Sequence, residues 1–191
     1  MQGKQPDKRT LKTRKAINNA LAELLAEKEL RNITVQEIAD KADVNRVTFY
    51  KHYYDIYDLY DKMKTNILSE LGMLILAYQE NNGEDFSAGM VDYISDNPKI
   101  FQMIFSPHNT GELRDKFEKM IEGLFRLIQS ERINTEYTDY HINYFCGYKA
   151  SGCISVFEKW VRGGFSEPKA FIVKTITELN RCADKYIAEQ F

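Results

Sequence analysis

The sequence predicts an all-α protein of about nine helices, with an N-terminal three-helix unit followed by a C-terminal helical bundle. Three observations carry that reading. Only 10 Gly and 4 Pro punctuate 191 residues, too few for a chain of many short strands and tight turns. Apolar residues recur at helical spacing in one segment after another. The polar or Gly/Pro breaks between segments are short, as connections in bundles are.

In residues 8–28, Ile17, Leu21, Leu24 and Leu25 fall on one face beside Ala16 and Ala20, giving an amphipathic first helix. Thr34 caps the second, Glu37 completes a capping box, and Ile38, Ala39 and Ala42 form its buried stripe. Asp43 occupies a sharp turn, and Asn45 caps a third helix running from Arg46 to about His52. From Asp55 to about Gln79, Ile56, Leu59, Met63, Ile67, Leu71, Leu74 and Ile75 line a long helix. Asn81, Asn82 and Gly83 break it. Asn97 and Pro98 end a further helix, Ser106 to Gly111 is a loop, and Glu112 to Ser130 is helical again. Tyr137 to Arg162 and Glu167 to Gln190 form a closing helical hairpin, divided by Gly163, Gly164, Ser166 and Pro168.

Composition narrows the function classes. Hydrophobic residues make up 43% and aromatic residues 13%, enough for a packed core. The net charge of -2 hides an uneven split. Residues 1–53 hold 11 Lys and Arg against 7 Asp and Glu, a net +4, and the remainder holds 15 against 21, a net -6. The basic end could face phosphates. Three cysteines at 146, 153 and 182, with no CxxC pair, indicate reduced thiols and no disulfide framework. With no apolar run near membrane-spanning length and a polar N-terminus, a cytoplasmic protein without a membrane partner is expected. GxSxG, HExxH, GxxxxGK[ST] and GxGxxG are all absent, so no enzyme is expected. No metal-ligand spacing relates Cys146, Cys153 and His141 to the other histidines, and no cofactor is expected.

Residues 34–53, TVQEIADKADVNRVTFYKHY, join two short helices through a tight turn, the helix-turn-helix arrangement that lets one helix enter a DNA major groove. The residues resemble the TetR family of transcriptional regulators: Arg14, Ala16, Ile17 and Ala20, then Ile33, Thr34 and Val35, then Ile38, Ala39, Ala42, Val44, Thr48, Phe49, Tyr50, Tyr53 and Leu59. The resemblance runs through residues 10–60. Segment 151–168, SGCISVFEKWVRGGFSEP, is similar to the penultimate helix and following turn of a subgroup with a DhaS-like C-terminal region. Three positions depart from the family pattern: Asp43 and Val47 where Gly is usual or frequent, and Ile56 where Lys is. Asp tolerates left-handed backbone, so Asp43 should preserve the turn. Ile56 removes a cation that the family commonly places on a phosphate.

The resemblance implies a DNA-binding domain over 1–54 and a helical effector-binding and dimerisation domain over 55–191. Arg46 is the candidate for bidentate contact to guanine, beside its capping residue Asn45, while Val47 and Thr48 suit thymine methyl groups. Thr34, Gln36, Tyr50, Lys51 and His52 are candidates for the phosphates. Lys4, Lys8, Arg9, Lys12, Arg14 and Lys15 form a basic arm or simply a solvated terminus.

For the homodimer interface the candidates are Cys153, Val156, Phe157, Trp160, Phe171, Ile172, Ile176 and Leu179, with Tyr144 on the same seam; ordinary intrachain core would use many of the same residues. Tyr93, Phe101, Phe105, Phe125 and Tyr148, with Tyr78, are candidates for a small-molecule effector cavity, although aromatic residues at helical spacing are core several times more often than ligand contacts. The expected function is a homodimeric repressor that binds a palindromic operator on double-stranded DNA and is released by an effector. The alternatives are an activator on the same scaffold, or a helical protein-interaction module that has lost operator binding.

Overall fold

A computed structural model describes residues 8–80, 86–132 and 139–190. The expected break at Asn81, Asn82 and Gly83, and Tyr137 at the start of the closing hairpin, lie outside these residues, as does Lys4. The described residues contain nine α-helices and no strand: α1 Lys8–Glu27, α2 Val35–Lys41, α3 Arg46–Tyr50, α4 Ile56–Glu80, α5 Phe86–Asp96, α6 Pro98–Ile104, α7 Glu112–Arg132, α8 Asp139–Arg162 and α9 Lys169–Gln190. A single 3-10 turn, Leu30–Asn32, joins α1 to α2. No helix among these residues is long and apolar enough to cross a membrane.

The chain forms two compact units. The first runs from the N-terminus to Ile67 and takes in Lys99–Gly111. Its core joins Ile17 and Leu21 of α1, Ile38 of α2, Phe49 of α3 and Leu59 of α4 with Phe101 and Phe105, all essentially sealed from solvent. Glu23 of α1 is the polar counterpart of that core, pairing with Lys41 of α2 at 3.1 Å and with Lys99 of α6. The Ser106 hydroxyl donates to the carbonyl of Ala26 at 3.0 Å, closing α1 over the end of the α6 segment.

Helix α6 is a feature that the sequence reading did not assign. Pro98 begins it instead of merely ending its predecessor: at the first helical position proline loses no intrahelical hydrogen bond and its φ is already helical.

The second unit comprises Leu68–Pro98 and Glu112–Phe191. Here α7 packs on α8, and α9 packs on both α5 and α8. An aromatic chain runs through it. Tyr78 meets Phe86 edge-on at 5.6 Å, and Phe86 meets Phe125 at 5.6 Å. The Lys149 ammonium lies 4.5 Å from the Phe125 ring centre. Tyr78 presses on α5 where Gly89 leaves no side chain in its way; a β-carbon there would collide with the tyrosine hydroxyl.

Helix α8 ends in a Schellman motif. Phe165 N–H reaches Trp160 O at 3.0 Å, Gly164 N–H reaches Val161 O at 3.0 Å, and the Trp160 and Phe165 rings meet edge-on at 5.0 Å. The Gly163–Gly164 signal in the sequence is thus a helix stop, with Gly164 and Phe165 both at positive φ.

Candidate nucleic-acid interface

The interface is built from local hydrogen bonds that the sequence encodes within a few residues. Thr34 accepts from the Glu37 N–H at 3.2 Å and its own N–H donates to Glu37 Oε2 at 2.9 Å, a complete capping box that starts α2. Lys28 adds a 2.5 Å contact to the other oxygen of Glu37. These donors, Lys28 foremost and then Thr34, hold the Glu37 carboxyl down at about 2. At the other end of α2, Val44 N–H reaches Ala39 O and Asp43 N–H reaches Asp40 O, again a Schellman pattern. Asp43 takes its left-handed position at φ 53°. Asn45 then caps α3, its Oδ1 accepting from Val47 N–H at 2.8 Å.

Helix α3 is shorter than the expected Arg46–His52. The His52 N–H bonds back only three residues, to Phe49 O at 2.9 Å, which tightens and ends the helix at Tyr50 and leaves Lys51 and His52 in the following turn. Phe49 is fully buried, meeting Tyr50 edge-on and Tyr53 at a tilt, and it fixes which face of α3 points outward. On that outward face Arg46, Val47 and Tyr50 are exposed, Thr48 is half-buried, and Lys51 and His52 follow, exposed and half-buried. Thr34, Gln36 and Asn45 are also exposed, although Gln36 spends its amide on Asp40 at 2.6 Å.

Tyr53 ties the turn to α1 through a 3.3 Å hydrogen bond to Asn18. Partial burial, then the positive charges of Arg14 and Lys51, push the His52 imidazole below its ordinary value, so it is a neutral donor near pH 7. That places Arg14 of the basic arm in electrostatic reach of the α3 turn. Among the described residues no ion pair engages Arg46 or Lys51, so both cations are available to an anionic partner.

The second unit presents a different surface. A groove of about 910 Å³ runs along α8 and α9, lined by Tyr144, Tyr148, Cys153, Val156, Ile176, Leu179 and Tyr186 among others. Of the dimer candidates, Cys153, Val156, Ile176 and Leu179 line it. Phe157, Trp160 and Ile172 are buried in the unit's own core, and Phe171 is exposed on α9 away from the groove lining. Tyr186 was missed, although it stands seven residues beyond Leu179 and so on the same helical stripe.

The effector candidates are not gathered into one cavity. Phe101 and Phe105 pack against each other in the first unit. Tyr93 donates to Glu70 at 2.9 Å, and burial followed by that carboxylate raises its hydroxyl well above the usual range. Phe125 is held between Phe86 and Lys149, and Tyr148 stands exposed in the groove. Among the described residues no cluster of His, Cys, Asp or Glu could hold a metal ion.

Comparison with known proteins matches both halves of the chain. The family model described as bacterial regulatory proteins, tetR family, covers residues 17–63. The model described as transcriptional regulator C-terminal region covers residues 81–181. Over 51 residues, 26% of the chain, it is 43% identical to an uncharacterized HTH-type transcriptional regulator, YxbF, of Bacillus subtilis (strain 168); that stretch spans 13% of the relative's length. Among solved structures, the fatty acid degradation regulator FadR of Bacillus halodurans aligns over 94% of this chain and 96% of its own, with TM-score 0.63 and 16% identity. The dihydroxyacetone kinase operon activator DhaS aligns over 91% and 97%, with TM-score 0.56 and 19% identity. At such identities the likeness is one of fold.

Proposed function

The chain belongs to the TetR family of bacterial transcriptional regulators, and from that premise we propose that it acts as a homodimeric repressor of a palindromic operator, released by a small-molecule effector. The observation that carries the reading is the outward face of α3. A fully buried Phe49 anchors a helix whose Arg46, Val47, Tyr50 and the adjoining Lys51 are exposed, with both cations unpaired among the described residues. A major groove accepts such a helix: Arg46 suits guanine, the methyl groups of Val47 and Thr48 suit thymine, and Lys51, His52 and Thr34 suit phosphates. In this reading residues 1–54 read DNA and 55–191 bind the effector and dimerise.

One α3 contacts too few bases for a specific site, so two copies are required, with half-sites about 34–36 Å apart or a helical turn more. The exposed apolar groove of α8 and α9 supports this pairing, because an apolar surface of that kind is ordinarily covered in a soluble protein. The effector acts by favouring one of two arrangements of α4, the helix whose N-terminal half belongs to the first unit and whose C-terminal half belongs to the second.

The test is selection of duplexes from random sequence by the purified protein, repeated with Arg46→Ala. The reading requires a palindromic winner and a loss of about 1–3 kcal/mol of base discrimination in the variant. Enrichment of no sequence at all sinks it in favour of a protein-interaction module. An effector that binds at saturation yet leaves operator affinity unchanged refutes the release step.

A further inference from the structure

Two large exposed side chains of the first unit have no role in the reading above. Tyr54 is 85% and Tyr57 58% exposed, and among the described residues neither hydroxyl has a hydrogen-bond partner. They lie directly after α3. Tyr54 is four residues beyond Tyr50, so chain length alone keeps the two backbones within about 14 Å. The turn is pinned: Tyr54 N–H donates to Asp58 at 2.9 Å and Asp58 N–H donates to Asp55 at 2.8 Å. Asp55 thereby takes one free amide of the first turn of α4, both carboxylates suit the positive end of the helix, and Lys62 pairs with Asp58 at 2.8 Å. Two carboxylates thus stand at the start of α4, and with Ile56 at its first position the helix puts no cation there to meet an anion. What it offers are the two hydroxyls.

A helix lying in a major groove is walled by phosphates, and residues just past its end meet one wall. Phosphate oxygens only accept, and a tyrosine hydroxyl donates without adding charge. We propose that Tyr54 and Tyr57 donate their hydroxyls to DNA phosphates beside the groove that α3 enters, a neutral clamp in place of a cationic one; the proposal rests on the DNA reading above. A neutral donor releases no condensed counterion, so its signature is affinity without salt dependence.

Phosphate contacts are blind to sequence, so the probe is a fluorescent random-sequence duplex titrated with the full chain at several salt concentrations. The Tyr54→Phe/Tyr57→Phe variant keeps both rings, and its circular dichroism should match the wild type. It is expected to bind about tenfold more weakly at every salt concentration, with the slope of log affinity against log salt unchanged. Lys51→Ala is expected to lower that slope by about one. If the double variant binds like the wild type while Lys51→Ala weakens binding, the clamp is overturned and the DNA reading stands. A wild type that binds no duplex overturns both.

Discussion

Replacing Asp184 by Ala should destabilise the second unit. Lys149 of α8 has a side chain only 5% exposed, and its ammonium lies 2.5 Å from Asp184 Oδ1 of α9. The same oxygen accepts from Gln129 Nε2 of α7 at 3.0 Å, and Gln129 is itself buried. One carboxylate thus satisfies two buried donors from two helices, and the ammonium also lies 4.5 and 5.3 Å from the ring centres of Phe125 and Phe145. Removing one partner of a buried ion pair costs about 3–5 kcal/mol. Asp184 is 33% exposed, so water can partly replace it, and we expect about 2–3 kcal/mol, or roughly 4–12 °C in Tm for a chain of this size. Asp184→Asn retains an acceptor for Gln129 and should cost less. The pair Lys149→Met/Asp184→Leu, which buries no charge, should return to within about 1 kcal/mol of wild type. The assay is denaturant unfolding followed by the fluorescence of Trp160, the only tryptophan, which is buried in this unit. An Asp184→Ala midpoint within about 0.5 kcal/mol of wild type, or a double variant no better than the single, would refute the reasoning.

Three further outcomes are expected. Asp43→Val should cost about 1–2 kcal/mol, because a β-branched residue is forced to φ 53°, whereas Asp43→Gly should stay within about 0.5 kcal/mol of wild type; thermal unfolding of the two variants decides it. The Glu37 carboxyl is held at about 2 in the folded chain against an ordinary 4.5. Because the unfolded form takes up protons first, its contribution is complete above pH 4.5 and is lost as pH falls toward about 2. Thermal midpoints of Glu37→Gln should therefore fall less than wild type over that interval, and parallel curves would contradict the assignment. Cys182 is exposed and lines the α8–α9 groove, while Cys146 and Cys153 are buried, and burial raises both thiols, Cys153 to about 11. A thiol reagent should modify one cysteine in the native protein and three in denaturant, with the native rate falling as protein concentration rises and copies cover the groove. A rate independent of concentration where sedimentation detects a dimer would exclude pairing through this face.

The reading unit was legible because its instructions are local. Thr34 and Glu37 act three residues apart, Asp43 acts on its own backbone, and Asn45 caps the second residue after it. The end of α3 was misplaced by two residues since nothing in Lys51 or His52 opposes helix; the tighter bond from His52 to Phe49 follows from burying Phe49 and Tyr53 together. Helix α6 was hidden because Asn-Pro signals a stop and a start equally well. The α8–α9 face was only half visible. Both helices are apolar on more than one side, and spacing alone does not separate the side that buries Phe157 and Trp160 from the side that leaves Tyr144 and Tyr148 in the groove. The tyrosine hydroxyls are the available clue, since rings that keep a polar tip tend to face outward. Lys149 was unreadable as a buried group, because its counterion lies 35 residues away on another helix.

The most direct test of the account is the stoichiometry and salt dependence of binding to duplexes from the DNA upstream of the protein's own coding region, followed by fluorescence anisotropy and sedimentation. The account predicts two chains per palindromic site, with affinity falling steeply as salt rises and collapsing in Arg46→Ala. Weak binding by single chains, equal on every sequence and indifferent to Arg46, would contradict it.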